Sequence, residues 1–237
     1  MLAYVRSDIG LVRETNEDSY AFSPPHLFVV ADGMGGHAAG EIASSLAIKT
    51  IKEYVTQNIN TVKPNAVLEQ AITEANKIIY EMAYSNGQYA GMGTTVTAAY
   101  LDTENIFWAH VGDSRMYLLR DSEICQLTSD HSLVWELVES GKITPEEALF
   151  HPQRNLLTRA VGTSSNISVD TGIASWTAGN KLLLCTDGLT NMVSEAGICS
   201  FLRQSPLDNS IMDTLIEEAK KAGGLDNITA ILVQNGD

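Results

Sequence analysis

The sequence is poor in basic residues and in cysteine, and it contains no long apolar run. Of 237 residues only 15 are Lys or Arg against 29 Asp or Glu, giving a net charge of −14. Nucleic acid is held by neutralising its phosphates, so a chain without a basic cluster is not expected to bind it. The three cysteines, Cys125, Cys185 and Cys199, are odd in number and have no CxxC spacing. That argues against a disulfide framework and a thiolate zinc site, and for a reducing, cytoplasmic setting. No apolar stretch approaches the roughly 18 residues of a membrane span, so no membrane partner is expected. The start, Met1-Leu2-Ala3-Tyr4-Val5-Arg6-Ser7-Asp8, lacks the basic-then-apolar pattern of a signal peptide. No repeat, low-complexity tract or linker divides the chain, so one domain over 1–237 is expected, with a monomer as the default.

What is present is enough to build a core: 44% of residues are hydrophobic and 19% charged. Ala43, Ala47, Ile51 and Val55 recur at four-residue spacing and predict a helix over 37–57. Leu68, Ile72, Ala75, Ile79 and Met82 share one stripe and predict another over 64–86, opened by Pro64 and closed by Asn86-Gly87. A third helix is expected over 207–222, with Ile211, Leu215, Ile216 and Ala219 inward and Gly223-Gly224 as the stop. Shorter helical patterns occupy 131–140, 144–150 and 192–203, the middle one capped at Thr144. Between them lie β-like runs at 26–31, 94–101, 105–111, 115–120, 123–127, 181–186 and 228–234. Several are joined by hairpin-length turns, at 102–105, 112–114 and Asp121-Ser122, which implies antiparallel pairing. Strands in the middle with long helices on either side predict an α+β fold, helices packed on antiparallel sheets. The stretch 141–165 reads as a loop-rich insertion.

Four aspartates stand beside glycine or a polar turn at the edge of an apolar run: Asp32, Asp113, Asp187 and Asp226. One Asp-Gly is a common turn. Four strand-end carboxylates, if they converge, make an all-oxygen site that suits Mg²⁺ or Mn²⁺ and excludes soft-ligand metals.

The motifs follow one another in a familiar order. They run Ser7-Asp8-Ile9-Gly10, Arg13-Glu14-Thr15-Asn16-Glu17-Asp18, Val30-Ala31-Asp32-Gly33-Met34-Gly35-Gly36-His37 and Gly91-Met92-Gly93-Thr94-Thr95. Then come His110-Val111-Gly112-Asp113-Ser114-Arg115, Thr128-Ser129-Asp130-His131-Ser132, Cys185-Thr186-Asp187-Gly188-Leu189-Thr190 and Gly223-Gly224-Leu225-Asp226-Asn227-Ile228-Thr229. Together they resemble the metal-dependent protein phosphatases of type 2C (the PPM family) in their compact bacterial form.

The resemblance implies a sandwich of two antiparallel β-sheets flanked by helices on both faces, four layers αββα, with a flap at about 141–165. It implies a serine/threonine protein phosphatase that opposes a cytoplasmic kinase. Two core cations, Mn²⁺ or Mg²⁺, would be held by Asp32, Asp187, Asp226 and the Gly33 carbonyl, with a weaker third near Asp113. Glu17 and Asp18 would act one step removed, through metal-bound water. Arg13 would bind phosphate through its planar fork, and water bridging the cations would attack phosphorus. The sequence departs from many eukaryotic members in having Met34, not histidine, after Asp32-Gly33. His37, or a metal-bound water, is therefore the candidate general acid, with capping or packing at the helix start as the alternative role of His37. His151, Arg154 and Arg159 on the flap are candidate peptide contacts. A nuclease or sugar phosphatase conflicts with the motif order, and a phosphoprotein-binding module conflicts with the intact aspartates.

Overall fold

The computed structural model describes residues 1–36, 39–204 and 208–236. Its first sheet takes β1 (Leu2–Asp8), and its second takes β2 (Asp18–Ser23) and β3 (Leu27–Met34). Two long helices follow, α1 (Ala39–Asn58) and α2 (Pro64–Ser85), then β4 (Gly93–Thr94), β5 (Val96–Leu101), β6 (Asn105–Val111), β7 (Arg115–Arg120) and β8 (Glu123–Gln126). Two short helices, α3 (Leu133–Glu139) and α4 (Pro145–Leu149), lead to β9 (Asp170–Ser175) and β10 (Lys181–Cys185). The chain ends with α5 (Asp187–Thr190), α6 (Glu195–Leu202), α7 (Asn209–Lys221) and β11 (Ile228–Gln234). The sheets are ordered β1-β11-β10-β7-β8 and β2-β3-β5-β6-β9, with β4 paired to β3, and every pairing is antiparallel.

Side chains alternate across a strand, so each buried strand serves two layers. On β3, Phe28 and Val30 face the other sheet, while Val29 and Ala31 face α1 and α2. On β10, Leu182 and Leu184 face between the sheets, while Leu183 and Cys185 meet α6 and α7. Ala43, Ala47, Ile51 and Val55 of α1 are buried, as are Leu68, Ile72, Ala75 and Ile79 of α2. The small residues of α1 let it sit close to the sheet. The expected αββα sandwich is therefore the observed one.

Three strands were not anticipated: β1, β2 and β9. All are sheet edges, covered on fewer sides, and their patterns mix buried and exposed residues without clean alternation. The expected 94–101 strand breaks at Thr95 into β4 and β5. The expected 192–203 helix is observed as α6 alone, and a separate short helix precedes it. Asp187-Gly188, which reads locally as a turn, opens α5, and Ser194 caps a separate α6 by accepting from the Gly197 N–H. Thr144 and Glu147 form the anticipated capping box of α4. Asp121 and Ser122 both take positive φ, as a two-residue hairpin loop of this twist requires. The predicted start of the last helix at Leu207 lies outside the described residues.

The segment after α4 returns along the molecule by backbone pairing. Ser132 bridges Leu157, Thr94 bridges Val161, and Thr158 donates to the His131 carbonyl at 2.9 Å. No helix among the described residues is long and apolar enough to cross a membrane.

Candidate metal centre

The stripes that face between the sheets change character along their length. On β3 the series Phe28, Val30 continues to Asp32; on β6, Ile106 and Trp108 continue to His110; on β10, Leu182 and Leu184 continue to Thr186. On β11, Val233 and Ile231 lead to Thr229, and on β5, Leu101 and Ala99 lead to Thr97 and Thr95. Because the strands are antiparallel neighbours, all of these polar ends fall at the same end of the sandwich. There a cleft of about 210 Å³ is lined by Arg13, Glu17, Asp32, Gly33, Asp113, Asp187 and Asp226, with Met34, Asn155 and Leu157 among its walls. A larger hollow of about 380 Å³ beside Tyr80, Tyr84 and Gly162 has no carboxylate, lysine, arginine or histidine in its lining, so chemistry rather than size marks the site.

Asp32 ends the β3 stripe and its register partner on β2 is Asp18. Thr95 fixes this end: its hydroxyl accepts from the Asp32 N–H at 2.9 Å and its N–H donates to the Asp32 carbonyl at 2.8 Å. The same hydroxyl lies 2.7 Å from Ser114 Oγ, so one threonine ties the Asp32 strand to the turn bearing Asp113. Gly33 donates to the Glu17 carbonyl at 3.2 Å, and a Cβ there would come within 2.1 Å of the Gly40 carbonyl, which leaves room only for glycine. Asp187 opens α5, where one carboxylate oxygen accepts from Asn191 Nδ2 at 3.0 Å. Asp226 accepts from Arg13 Nη2 at 2.8 Å and from the Asn227 N–H at 2.9 Å.

So many carboxylates in one place repel each other. Burial first, then Asp18, Asp187, Asp113 and Asp226, hold the Asp32 carboxyl well above its ordinary range. Asp113 is pushed up strongly by burial and by Asp187, and Asp187 by burial and Asp226. Asp18 rises to about 7, chiefly through burial and despite hydrogen bonds from Thr229 and Thr186. Burial also raises Glu17. Arg13 is the one cation in the cleft lining, and half of its side chain is exposed.

These residues pass a test for hard divalent cations. One oxygen each of Asp18 and Asp187 is buried without any hydrogen-bond partner, which is costly unless something else is meant to meet it. All the donors are oxygen. No three Asp, Glu, His or Cys side chains close into a cage for one ion among the described residues. Oxygen donors are what Mg²⁺ and its like take, one or two carboxylates together with several waters.

Several site residues have roles that the sequence did not assign to them. Buried Asn227 donates to the Ile9 and Thr15 carbonyls and accepts from the Glu17 N–H at 2.8 Å, stitching the 9–17 loop to β11. His131 clamps the Asp113 turn: its ring Nδ1 accepts from the Gly112 N–H at 3.0 Å, and its own N–H donates to the Gly112 carbonyl at 2.7 Å. With Nδ1 accepting, Nε2 carries the proton and donates to Asp170 at 3.1 Å. Arg159 donates to the other Asp170 oxygen at 2.7 Å, so this arginine is occupied at Asp170. Arg159 and His131 hold the Asp170 carboxylate below its ordinary value against the cost of burial. Burial keeps His131 low, and burial together with the adjacent His131 pushes His110 down to about 3, so His110 stays neutral. His151 accepts from the Gln153 N–H, and neither it nor Arg154 is part of the cleft lining. His37 lies outside the described residues.

Fold and cleft together define a class, an αββα sandwich opening at one end on an acidic, all-oxygen site. Comparison with known proteins narrows it. A family model described as Protein phosphatase 2C matches residues 13–217. The chain is 40% identical to the serine/threonine phosphatase stp of Listeria innocua, across 99% of this chain and 96% of that protein. It superposes on the crystal structure of the Mycobacterium tuberculosis serine/threonine phosphatase PstP/Ppp with a TM-score of 0.93 and 39% identity, covering 100% of this chain and 99% of that one. A structure of the PstP catalytic domain in complex with two manganese ions matches at a TM-score of 0.90 and 38% identity, over 100% of this chain and 98% of that one. The chain belongs to the protein phosphatase 2C family.

Proposed function

We propose that this protein is a manganese- or magnesium-dependent phosphatase of phosphoserine and phosphothreonine in proteins, working against a cytoplasmic serine/threonine kinase. The observation that carries the reading is the convergence of Asp32, Asp113, Asp187 and Asp226 on one cleft with Arg13 at its mouth. Relatives named as serine/threonine phosphatases across nearly the whole chain support the substrate class. The three free thiols suit a cytoplasmic enzyme. A monomer, one domain and the flap at about 141–165 remain part of the proposal.

Asp32, Asp187, Asp226 and the Gly33 carbonyl would hold two cations, with Asp113 serving a weaker third. When bound, the cations would neutralise phosphate charge and lower the pKa of coordinated water. The residues of the chain then have separate tasks. Arg13 presents its planar fork at the cleft mouth, where phosphate can replace Asp226 as its partner. The hydrogen bonds from Thr95, Asn227 and His131 keep the carboxylate-bearing turns fixed, so little reorganisation is needed as charge moves. Glu17 and Asp18 would act at one remove, through metal-bound water. His37 would return a proton to the leaving alkoxide.

Metal-stripped protein should release phosphate from a phosphothreonine peptide only when Mn²⁺ or Mg²⁺ is restored. Folded, cation-loaded protein that releases none would mean a binding role instead.

A further inference from the structure

We propose that the substrate chain on either side of the phosphorylated residue lies on an apolar rim made by Ile9, Leu11, Val12 and Leu225, so that the enzyme favours phosphosites with bulky apolar neighbours. The inference rests on the phosphatase reading and adds to it the character of the peptide.

Exposed large apolar side chains are not scattered evenly over this molecule. Seven of the thirteen among the described residues sit on three segments bordering the cleft. Ile9, Leu11 and Val12 precede Arg13 and are 38%, 63% and 61% exposed, and Leu225 precedes Asp226 at 52%. Leu149, Phe150 and Leu156 lie on the stretch that supplies Asn155 and Leu157 to the cleft wall.

The first segment is held outward by its backbone. The Leu11 N–H donates to the Gly224 carbonyl at 2.8 Å, the Gly10 N–H to Asp8 Oδ1 at 2.8 Å, and Asn227 Nδ2 to the Ile9 carbonyl at 3.0 Å. Four apolar side chains kept in water at fixed positions form a surface that gains by being covered.

The occupant follows from continuity and charge. A phosphate on Arg13 brings its own chain over the residues next to Arg13 and Asp226. In an extended peptide the neighbouring side chains fall within about 7 Å of the phosphorylated one, counting about 3.3 Å per residue. Acidic neighbours would meet a protein of net charge −14 and a cleft whose single lining cation is already committed to phosphate. Apolar neighbours would instead remove Leu11, Val12 and Leu225 from water.

The test uses the manganese-loaded full chain and three substrates. Two are phosphothreonine peptides identical except for Leu or Asp at the positions two residues before and after the phosphothreonine, and the third is p-nitrophenyl phosphate, too small to reach the rim. The expected kcat/KM favours the Leu peptide by about tenfold, the scale of burying one apolar side chain. The Leu11→Ser/Val12→Ser double variant should lose most of that preference while hydrolysing p-nitrophenyl phosphate as the wild type does. Equal kcat/KM for the two peptides overturns the rim, and so does a preference that survives in a Leu11→Ser/Val12→Ser/Leu225→Ser variant. Failure to hydrolyse any of the three overturns the phosphatase reading itself, which separates the two failures.

Discussion

The space between the two sheets has two ends that differ in everything but the strands that form them. At one end Phe28, Val30, Leu182, Leu184, Ile231 and Val233 interlock with nothing polar among them. At the other, two residues further along the same stripes, stand Asp32, Thr186 and Thr229, with Asp18, Asp113, Asp187 and Asp226 close by. The apolar end stabilises the fold. The polar end opposes it, because carboxylates crowded against each other are poorly solvated and leave oxygens unpartnered. A rigid strand whose far half is locked in a dry core can hold a strained near half in place. The comparison teaches that the site is positioned by the core and stabilised by what it binds.

Substitutions at the two ends should therefore fail in different ways. Asp187→Ala should lower kcat by about a thousandfold, roughly 4 kcal/mol of transition-state stabilisation, with the circular dichroism of the wild type. Retained turnover at full manganese occupancy would remove Asp187 from the ligand set. Leu184→Ala, on the neighbouring stretch of β10, should cost about 2–5 kcal/mol in urea unfolding and leave the kinetics of the folded fraction unchanged. A kinetic defect there without loss of stability would break the division of labour.

His131→Ala should have a smaller effect, about tenfold on activity, by freeing the Gly112–Asp113 turn. Non-additivity separates that role from general destabilisation: combined with Asp113→Ala it should add little, whereas independent effects would multiply. His131→Asn, which keeps an acceptor for the Gly112 N–H, should recover most of the loss.

A further effect is on pH. Metal-free Asp18 and its neighbours have carboxyl pKa values raised in the folded state, so the folded protein binds more protons than the unfolded chain. Their favourable contribution is full below the ordinary carboxylate range and is lost as pH rises toward about 7, the value for Asp18. Urea midpoints of metal-free protein should fall between pH 5 and pH 8, by up to about 1.4 kcal/mol per proton and pH unit. A rise over that interval would mean the cluster is not strained.

Much of this contrast was legible in the sequence, and the remainder was hidden for identifiable reasons. The stripes of α1 and α2 and the central strands declare themselves because burial on a regular face imposes a period. The edge strands β1, β2 and β9 do not, because an edge is half covered and its side chains need not alternate. Asp32, Asp187 and Asp226 were marked by the apolar runs and glycines around them, and the order of motifs gave them a common destination. Thr95, His131 and Asn227 stand inside the same motifs, but nothing around them shows what they hold, and Asp170 belongs to no motif. Their partners are distant in sequence: Asp170 is 39 residues from His131, and Asn227 is 210 from Glu17. Contacts of that span are fixed by topology, which spacing along one chain does not reveal.

The most direct test of the account is equilibrium urea unfolding of metal-stripped wild type and Asp32→Asn at pH 8, each with and without Mn²⁺. The account predicts a reversal. Without the cation the variant is the more stable, since the cost of placing an ionisable carboxyl in a buried, repulsive cluster has been removed, and with the cation the wild type is the more stable. If Asp32→Asn is no more stable than wild type without Mn²⁺, or gains as much from Mn²⁺, the carboxylate end is not a strained site awaiting cations.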